Sequence, residues 1–235
     1  MSLLIMKKVL IVEDEKIIRD FVIINLKRSG YEVIEASSGE EGIELFNSNP
    51  DIDIAILDVM LPGIDGFTVC DTIRKKSNTV GIIILSAKAQ EMDKVTGLMT
   101  GADDYIPKPF SPSELTARVD SLYRRVNIKS PQQKVDEILE DGPFSLNLRS
   151  RILLKNNIQK DLTQVEFLIM KLFMENSKKA LSREEILDKV WGKEYFGELK
   201  IVDVNIRRLR MKIEDDPSVP KYIHTLWGYG YKWEV

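Results

Sequence analysis

Short, unbroken apolar runs alternate with amphipathic stretches through the first half of the chain. Val9-Leu10-Ile11-Val12, Ile54-Ala55-Ile56-Leu57 and Ile82-Ile83-Ile84-Leu85 are rich in β-branched side chains. That is the pattern of strands buried on both faces of a parallel sheet. After the first run, Ile17, Ile18, Phe21, Val22, Ile24 and Leu26 recur at helical spacing and stop at Ser29-Gly30, a helix C-terminal signal. Tyr31 to Ala36 reads as another strand and Ser37-Ser38-Gly39-Glu40-Glu41 as a helix N-terminus. Tyr105-Ile106 is the last strand, and Ser111-Pro112-Ser113-Glu114 opens the last helix with a cap, a proline at the first position and a closing glutamate. Five strands and five helices in strict alternation predict a doubly wound, five-stranded parallel α/β sheet over residues 7–125.

The pattern breaks at residues 126–134, a polar stretch without periodicity that reads as a linker. A second domain, residues 135–235, has a different grammar. Strand-sized pieces around Ile138-Leu139, Phe144 to Leu148, Ile152 to Leu154 and Ile158 are separated by Asp141-Gly142-Pro143 and Asn156-Asn157, a small antiparallel meander. Capping boxes at Thr163-Gln164-Val165-Glu166 and Ser182-Arg183-Glu184-Glu185 announce two helices. A third helix covers about Ile201 to Glu214, and a hairpin of Tyr222 to Leu226 and Tyr231 to Trp233 follows around Trp227-Gly228-Tyr229-Gly230.

Composition narrows the chemistry. The 235 residues have no apolar stretch of the roughly 20 needed to span a bilayer, nor the ordered regions of a signal peptide, so a cytoplasmic protein is expected. One cysteine, Cys70, and one histidine, His224, exclude a disulfide framework and a Cys/His zinc site. The net charge of −3 divides unevenly, −5 over residues 1–126 and +2 over the rest.

Three of the parallel strands run into polar residues: Glu13-Asp14, Asp58 and Ser86. Open α/β sheets place their sites at such strand ends. Carboxylates gathered there repel one another unless a cation joins them, and all-oxygen donors select Mg²⁺ or Mn²⁺. Lys108 would add a point charge for a phosphoryl oxygen and Ser86 a hydroxyl donor, leaving Asp58 as the nucleophile.

Val-Glu-Asp-Glu at 12 to 15, Leu-Asp-Val-Met-Leu-Pro-Gly at 57 to 63, Ser-Ala-Lys at 86 to 88 and Gly-Ala-Asp-Asp-Tyr-Ile-Pro-Lys-Pro-Phe at 101 to 110 resemble the receiver domain of two-component response regulators, a flavodoxin-like fold. The resemblance implies that Asp58 accepts a phosphoryl group from a sensor histidine kinase. It further implies that Asp14 and Asp58 bind Mg²⁺ directly, Glu13 acts through a coordinated water and the Met60 backbone carbonyl completes the protein ligands. Lys108 would pair with the acyl phosphate, and Ser86 with Tyr105 would form a switch. Active receivers of this kind dimerise through the fourth helix, fifth strand and fifth helix; Lys94 with Glu114, Asp104 with Arg118, and Asp103 with Arg125 match their cross-subunit ion pairs. An enzyme reading, a phosphatase passing through an aspartyl-phosphate, needs a second aspartate two residues after the nucleophile, where this chain has Met60. The chain is therefore expected not to be an enzyme beyond its own phosphoryl acceptance and hydrolysis.

In the third helix of the second domain, Val202, Ile206, Leu209 and Ile213 share one stripe at 100° per residue and face the core. By the same reckoning Lys200, Val204, Arg207, Arg208 and Met211 point outward, with Asn205 and Arg210 on the flanks. Leu-Thr-Gln-Val-Glu-Phe at 162 to 167, Ser-Arg-Glu-Glu-Ile-Leu at 182 to 187 and Val-Asp-Val-Asn-Ile-Arg-Arg-Leu-Arg at 202 to 210 resemble the winged helix-turn-helix domain of the OmpR/PhoB family, and the wing is similar to the VanR-like branch. That implies double-stranded promoter DNA, and RNA polymerase, as partners of a homodimer formed on phosphorylation. Arg208 and Val204 would reach base edges. Lys200, Asn205, Arg207 and Arg210 would touch phosphates or support docking, and Thr225 would touch the backbone. Three positions depart from the family pattern: Lys200-Ile201 replaces Arg-Thr, Asn205 replaces His, and Trp227 stands where the wing commonly carries an arginine.

Overall fold

The computed structural model describes residues 7–87, 99–126, 138–193, 195 and 197–235. The chain divides into two compact units at Asn127 and Ile128. All but the first residue of the expected linker lies outside the described residues, as does most of the span expected to hold the fourth receiver helix.

The first unit runs β1 (Lys7–Val12), α1 (Lys16–Arg28), β2 (Tyr31–Ala36), α2 (Gly39–Ser48), β3 (Ile54–Asp58), α3 (Gly66–Lys76), β4 (Gly81–Ser86), β5 (Asp104–Pro107) and α4 (Pro112–Val126). The strands form one sheet in the order β2-β1-β3-β4-β5, with every described pairing parallel. Every residue of β3 and β4 is buried, as the unbroken apolar runs require. Val22 and Leu26 of α1 and Leu115, Val119 and Leu122 of α4 pack on one face of this sheet with Val9, Ile11, Ile54 and Ile56. The Ser38 hydroxyl caps α2 by accepting from Glu41 N at 3.2 Å, and Ser111 caps α4 by accepting from Glu114 N at 3.1 Å.

In the second unit, β6 (Ile138–Asp141), β7 (Phe144–Asn147), β8 (Ile152–Lys155) and β9 (Ile158–Lys160) form an antiparallel meander. Asn156 and Asn157 both have positive φ, 50° and 63°, as a tight two-residue hairpin turn demands. Three helices follow, α5 (Gln164–Glu175), α6 (Arg183–Val190) and α7 (Lys200–Ile213). Both expected capping boxes are present, at Thr163 and Ser182. The hairpin of β11 (Ile223–Leu226) and β12 (Gly230–Trp233) is joined by β10 (Ala180–Ser182), a strand the sequence pattern does not announce, giving the order β10-β12-β11. Phe144, Tyr222 and Trp233 tie meander to hairpin, with ring centroids 4.8 to 5.9 Å apart. The two edge-on pairs, Phe144 with Tyr222 and with Trp233, add about 1 kcal/mol each beyond their buried area.

One glycine governs the approach of a helix to the site. Gly66 opens α3 directly beneath the end of β3, and a Cβ there would collide with the Asp58 carbonyl oxygen and crowd Val59 Cα. Those are backbone atoms, so the collision has no flexible partner to yield. Gly66→Ala is expected to destabilise the receiver unit by about 1–3 kcal/mol; urea denaturation followed by the receiver transition measures it, and an unchanged midpoint would contradict the close packing.

Candidate functional site: an acidic strand-end cluster and a charged helix interior

Strand register assembles the first site. Val12 is paired with Leu57, so Glu13 emerges beside Asp58. Asp58 is paired with Leu85 and Ser86 with Pro107, which brings Ser86 and Lys108 to the same end of the sheet. Lys108 N also donates to the Ser86 carbonyl at 2.8 Å. Glu13, Asp14 and Asp58 can each offer a carboxylate oxygen within 4.8 Å of the others. Glu13 and Asp58 are buried while Asp14 is exposed.

The Lys108 ammonium reaches both buried acids, 2.7 Å from Glu13 Oε2 and 3.1 Å from Asp58 Oδ1. Burial alone would pull its pKa down, but the two carboxylates outweigh burial and hold it above the ordinary value. Burial pushes Glu13 up to about 6, further helped by the Asp58 charge and only partly countered by Lys108. Asp58 is raised for the same first reason, against the pull of Lys108 and a backbone hydrogen bond from Met60. Glu13 Oε1 has no hydrogen-bond partner among the described residues. One ammonium therefore under-serves this carboxylate cluster. An all-oxygen site with a buried, partnerless carboxylate oxygen fits a hard divalent cation, Mg²⁺ or Mn²⁺, with coordination positions left for another ligand.

Of the other expected receiver residues, Ser86 is fully buried at the end of β4, and the Tyr105 ring lies inside at 7% exposure. Met60 follows Asp58 with its own side chain exposed. Four of the residues expected to pair across a dimer, Asp103, Asp104, Glu114 and Arg118, are engaged within one chain. Arg118 bonds Asp104 at 3.0 Å and Glu114 at 2.9 Å. Asp103 is buried, held by Arg74 of α3 at 2.5 Å and by Ile82 N at 2.8 Å. Arg125 is buried as well, and Lys94 lies outside the described residues.

On α7 the outward face needs correction. Lys200, Arg207 and Met211 are exposed, but Val204 is 3% exposed, Asn205 0% and Arg208 5%. The helix packs against both α5 and α6, so its buried arc is wider than a single stripe. The cause on one side is Glu166, wholly buried in the first turn of α5. It lies 2.9 Å from Arg208 Nη2 and 2.6 Å from Lys212 Nζ, and it accepts from Thr163 N as half of the capping box. Burial would raise this carboxyl, but Arg208 and Lys212 together hold it below the ordinary value. Asn205 turns inward to donate to the Ile201 carbonyl at 2.8 Å. Arg210 fastens the hairpin, donating to the Ile223 carbonyl and, at 2.9 Å, to the Thr225 hydroxyl. In the hairpin turn, Gly228 takes φ 73°, Tyr229 N bonds the Leu226 carbonyl at 3.0 Å and Trp227 stands 92% exposed.

Sheet order, acidic strand end, meander, three helices and hairpin together define a receiver domain followed by a winged-helix domain. The response regulator receiver domain family matches residues 9–120 and the transcriptional regulatory protein C-terminal family matches residues 157–233. An uncharacterised transcriptional regulatory protein of Bacillus subtilis, YcbL, is 42% identical over 224 residues, covering 95% of this chain and 98% of that protein. The probable transcriptional regulator ycf27 of Cyanidium caldarium is 44% identical over 230 residues, covering 94% of this chain and 92% of that protein. Among solved structures, DrrB, an OmpR/PhoB homologue of Thermotoga maritima, is 31% identical over 98% of this chain and all of its own, with a TM-score of 0.51. A mutant form of RitR superposes with a TM-score of 0.75 at 26% identity, over 97% of this chain and 98% of its own. The chain belongs to the two-component response regulators of the OmpR/PhoB type, a family of transcriptional regulators. No helix among the described residues is long and apolar enough to cross a membrane.

Two outcomes follow from these charges. Glu13 is raised above its unfolded value of 4.5 to about 6, so its contribution to stability is full below the lower value and is lost as pH rises through the higher. In chelator, the receiver's melting temperature should fall between roughly pH 4.5 and 6.5, and Glu13→Gln should flatten that fall; calorimetry across the range checks it, with equal slopes counting against Glu13. In the second unit, Arg208→Ala leaves a buried carboxylate short of a partner and should cost about 3–5 kcal/mol. Chemical denaturation of the winged-helix unit would read that loss, whereas a cost under about 1 kcal/mol would be the value of an exposed pair.

Proposed function

We propose that the chain accepts a phosphoryl group on Asp58 from the phosphohistidine of a sensor kinase and, once phosphorylated, pairs with a second copy to bind promoter DNA and regulate transcription. The observation that carries this is Asp58 itself: buried, 3.1 Å from the Lys108 ammonium, and clustered with two further carboxylates. A carboxylate oxygen of Asp58 would attack the phosphorus; the phosphorus–nitrogen bond breaks, and the donor imidazole leaves with the electron pair. Asp14 and Asp58 would ligate Mg²⁺ or Mn²⁺, with Glu13 through water and the Met60 carbonyl. Such a cation supplies positive charge for the phosphoryl oxygens as negative charge redistributes over them.

Lys108 holds the acids in place before transfer and meets a phosphoryl oxygen after it. Ser86 donates its hydroxyl to the acyl phosphate, and Tyr105, on the neighbouring strand, packs behind it. Phosphoryl contacts would bias the two arrangements of this pair. Dimerisation would use the surface of β5 and α4, where Asp104, Glu114 and Arg118 already form an ion-pair group able to exchange partners with a second copy, together with Lys94 and Arg125. Asp103, committed to Arg74, is the weakest member of that set.

For DNA, Lys200 and Arg207 are the exposed cations of α7, and Met211 gives the same face an apolar contact. Arg208 and Asn205 would act from behind, fixing the angle at which that face is presented, and Arg210 with Thr225 would hold the wing to the helix. RNA polymerase is a further partner of the assembled dimer.

Incubation with acetyl phosphate and Mg²⁺ should add one phosphoryl mass to the chain and none to Asp58→Ala. The phosphorylated chain should sediment as a dimer and hold DNA selected from a random pool more tightly than the unmodified chain, and Arg207→Ala should weaken that binding more than Arg208→Lys. Phosphorylation elsewhere, or DNA binding indifferent to it, would overturn the reading.

A further inference from the structure

The geometry points to Arg19, a residue outside the acid cluster, as the positioning residue that gives the cation site its shape. Two of the three clustered acids, Glu13 and Asp14, lie on the short loop between β1 and α1. Sheet pairing ends just before it: Val12 is the last residue in register with Ala36 and Leu57, and Glu13 N adds one final bond to the Ala36 carbonyl at 3.1 Å. The helix that follows begins weakly fastened. Its N-cap, Glu15, makes no side-chain capping hydrogen bond, and its first turn contains no acidic residue.

Arg19, one turn into α1, ties this loop down. Its Nη1 donates to the Glu13 carbonyl at 2.6 Å and to the Asp14 carbonyl at 3.2 Å. Nε meets Glu35 Oε2 at 3.3 Å, at the end of neighbouring β2. The side chain is only 13% exposed. One planar group thus bonds the backbone of both acidic residues and is braced from the adjacent strand. The direction in which a carboxylate leaves its backbone follows from the backbone's own orientation, so a clamp on these two carbonyls fixes where both acids aim. Groups that orient ligands in this way typically change metal affinity by about 10–100-fold when removed. A lysine could reach a carbonyl but lacks the planar fork that bonds carbonyls and Glu35 together.

This inference rests on reading the acid cluster as a divalent-cation site, and the experiment separates the two. Mn²⁺ binding to the full chain, counted by electron paramagnetic resonance of the free ion, requires no phosphoryl transfer. Wild type should bind one ion at this site and lose it in Asp58→Ala; absence of binding in wild type would sink the cation site itself. Arg19→Ala should weaken Mn²⁺ by about ten-fold or more, Arg19→Lys by a smaller factor, and Glu35→Gln, which removes only the charge of an exposed brace, least of all. Melting in chelator should differ little between Arg19→Lys and wild type, since the clamp acts on the ligands and not on the core. Wild-type affinity in both Arg19 variants would overturn the assignment, as would an affinity loss matched by an equal loss of stability in chelator.

Discussion

Buried like charge at the end of a parallel sheet is the constraint around which the receiver is organised. Glu13 and Asp58 are almost wholly withdrawn from water, and two unit charges about 5 Å apart repel by roughly 3 kcal/mol at an effective dielectric of about 20. The wholly apolar strands that make the sheet stable also deny these carboxylates solvent. Lys108 offsets part of the repulsion, and its own position depends on the Ser86–Pro107 pairing that delivers it there. The site is an electrostatic debt left open by folding, and only a further cation or a proton closes it. That makes the cluster responsive to ligands in a way a fully satisfied network would not be.

The second domain handles the same problem in the opposite way. Glu166 is as deeply buried as Glu13, but two cations one helical turn apart on α7 and the capping box of α5 satisfy it. A carboxylate neutralised by two cations in this way fixes the register and rotation of α7 against α5. The hairpin is then set by Arg210 through the Ile223 carbonyl and Thr225. Helix and wing are thus joined through Arg210.

The receiver was legible in the chain because its information is local. Three strands, β1, β3 and β4, run into functional residues and parallel register brings those ends together, while the Ser111 cap lies within four residues, as do the capping boxes at Thr163 and Ser182 in the second domain. Long-range pairing was less accessible. Nothing near Asp103 announces Arg74, and nothing near Arg208 announces Glu166, whose capping role gave no sign that it also carries an interior ion pair. A stripe drawn at 100° per residue assumes one buried side; α7 has two, so Val204 and Arg208 came out facing the wrong way. Strand β10 was missed because three residues running into a helix cap carry no period. Nothing in the sequence announces Arg19, because two of its partners are backbone carbonyls, which every residue has.

The charge inventory of α7 also bears on how DNA binding responds to ionic strength. The helix carries five cations, yet Arg208 and Lys212 are committed to Glu166 and Arg210 to the wing. Each phosphate neutralised by protein releases a condensed counterion, and the salt dependence of affinity counts those releases. Cations committed to the interior release none. A helix that looks strongly basic in sequence therefore presents a modest electrostatic footprint, and the exposed surface beside Lys200 and Arg207 is completed by uncharged groups, Met211 on the helix and Trp227 on the wing.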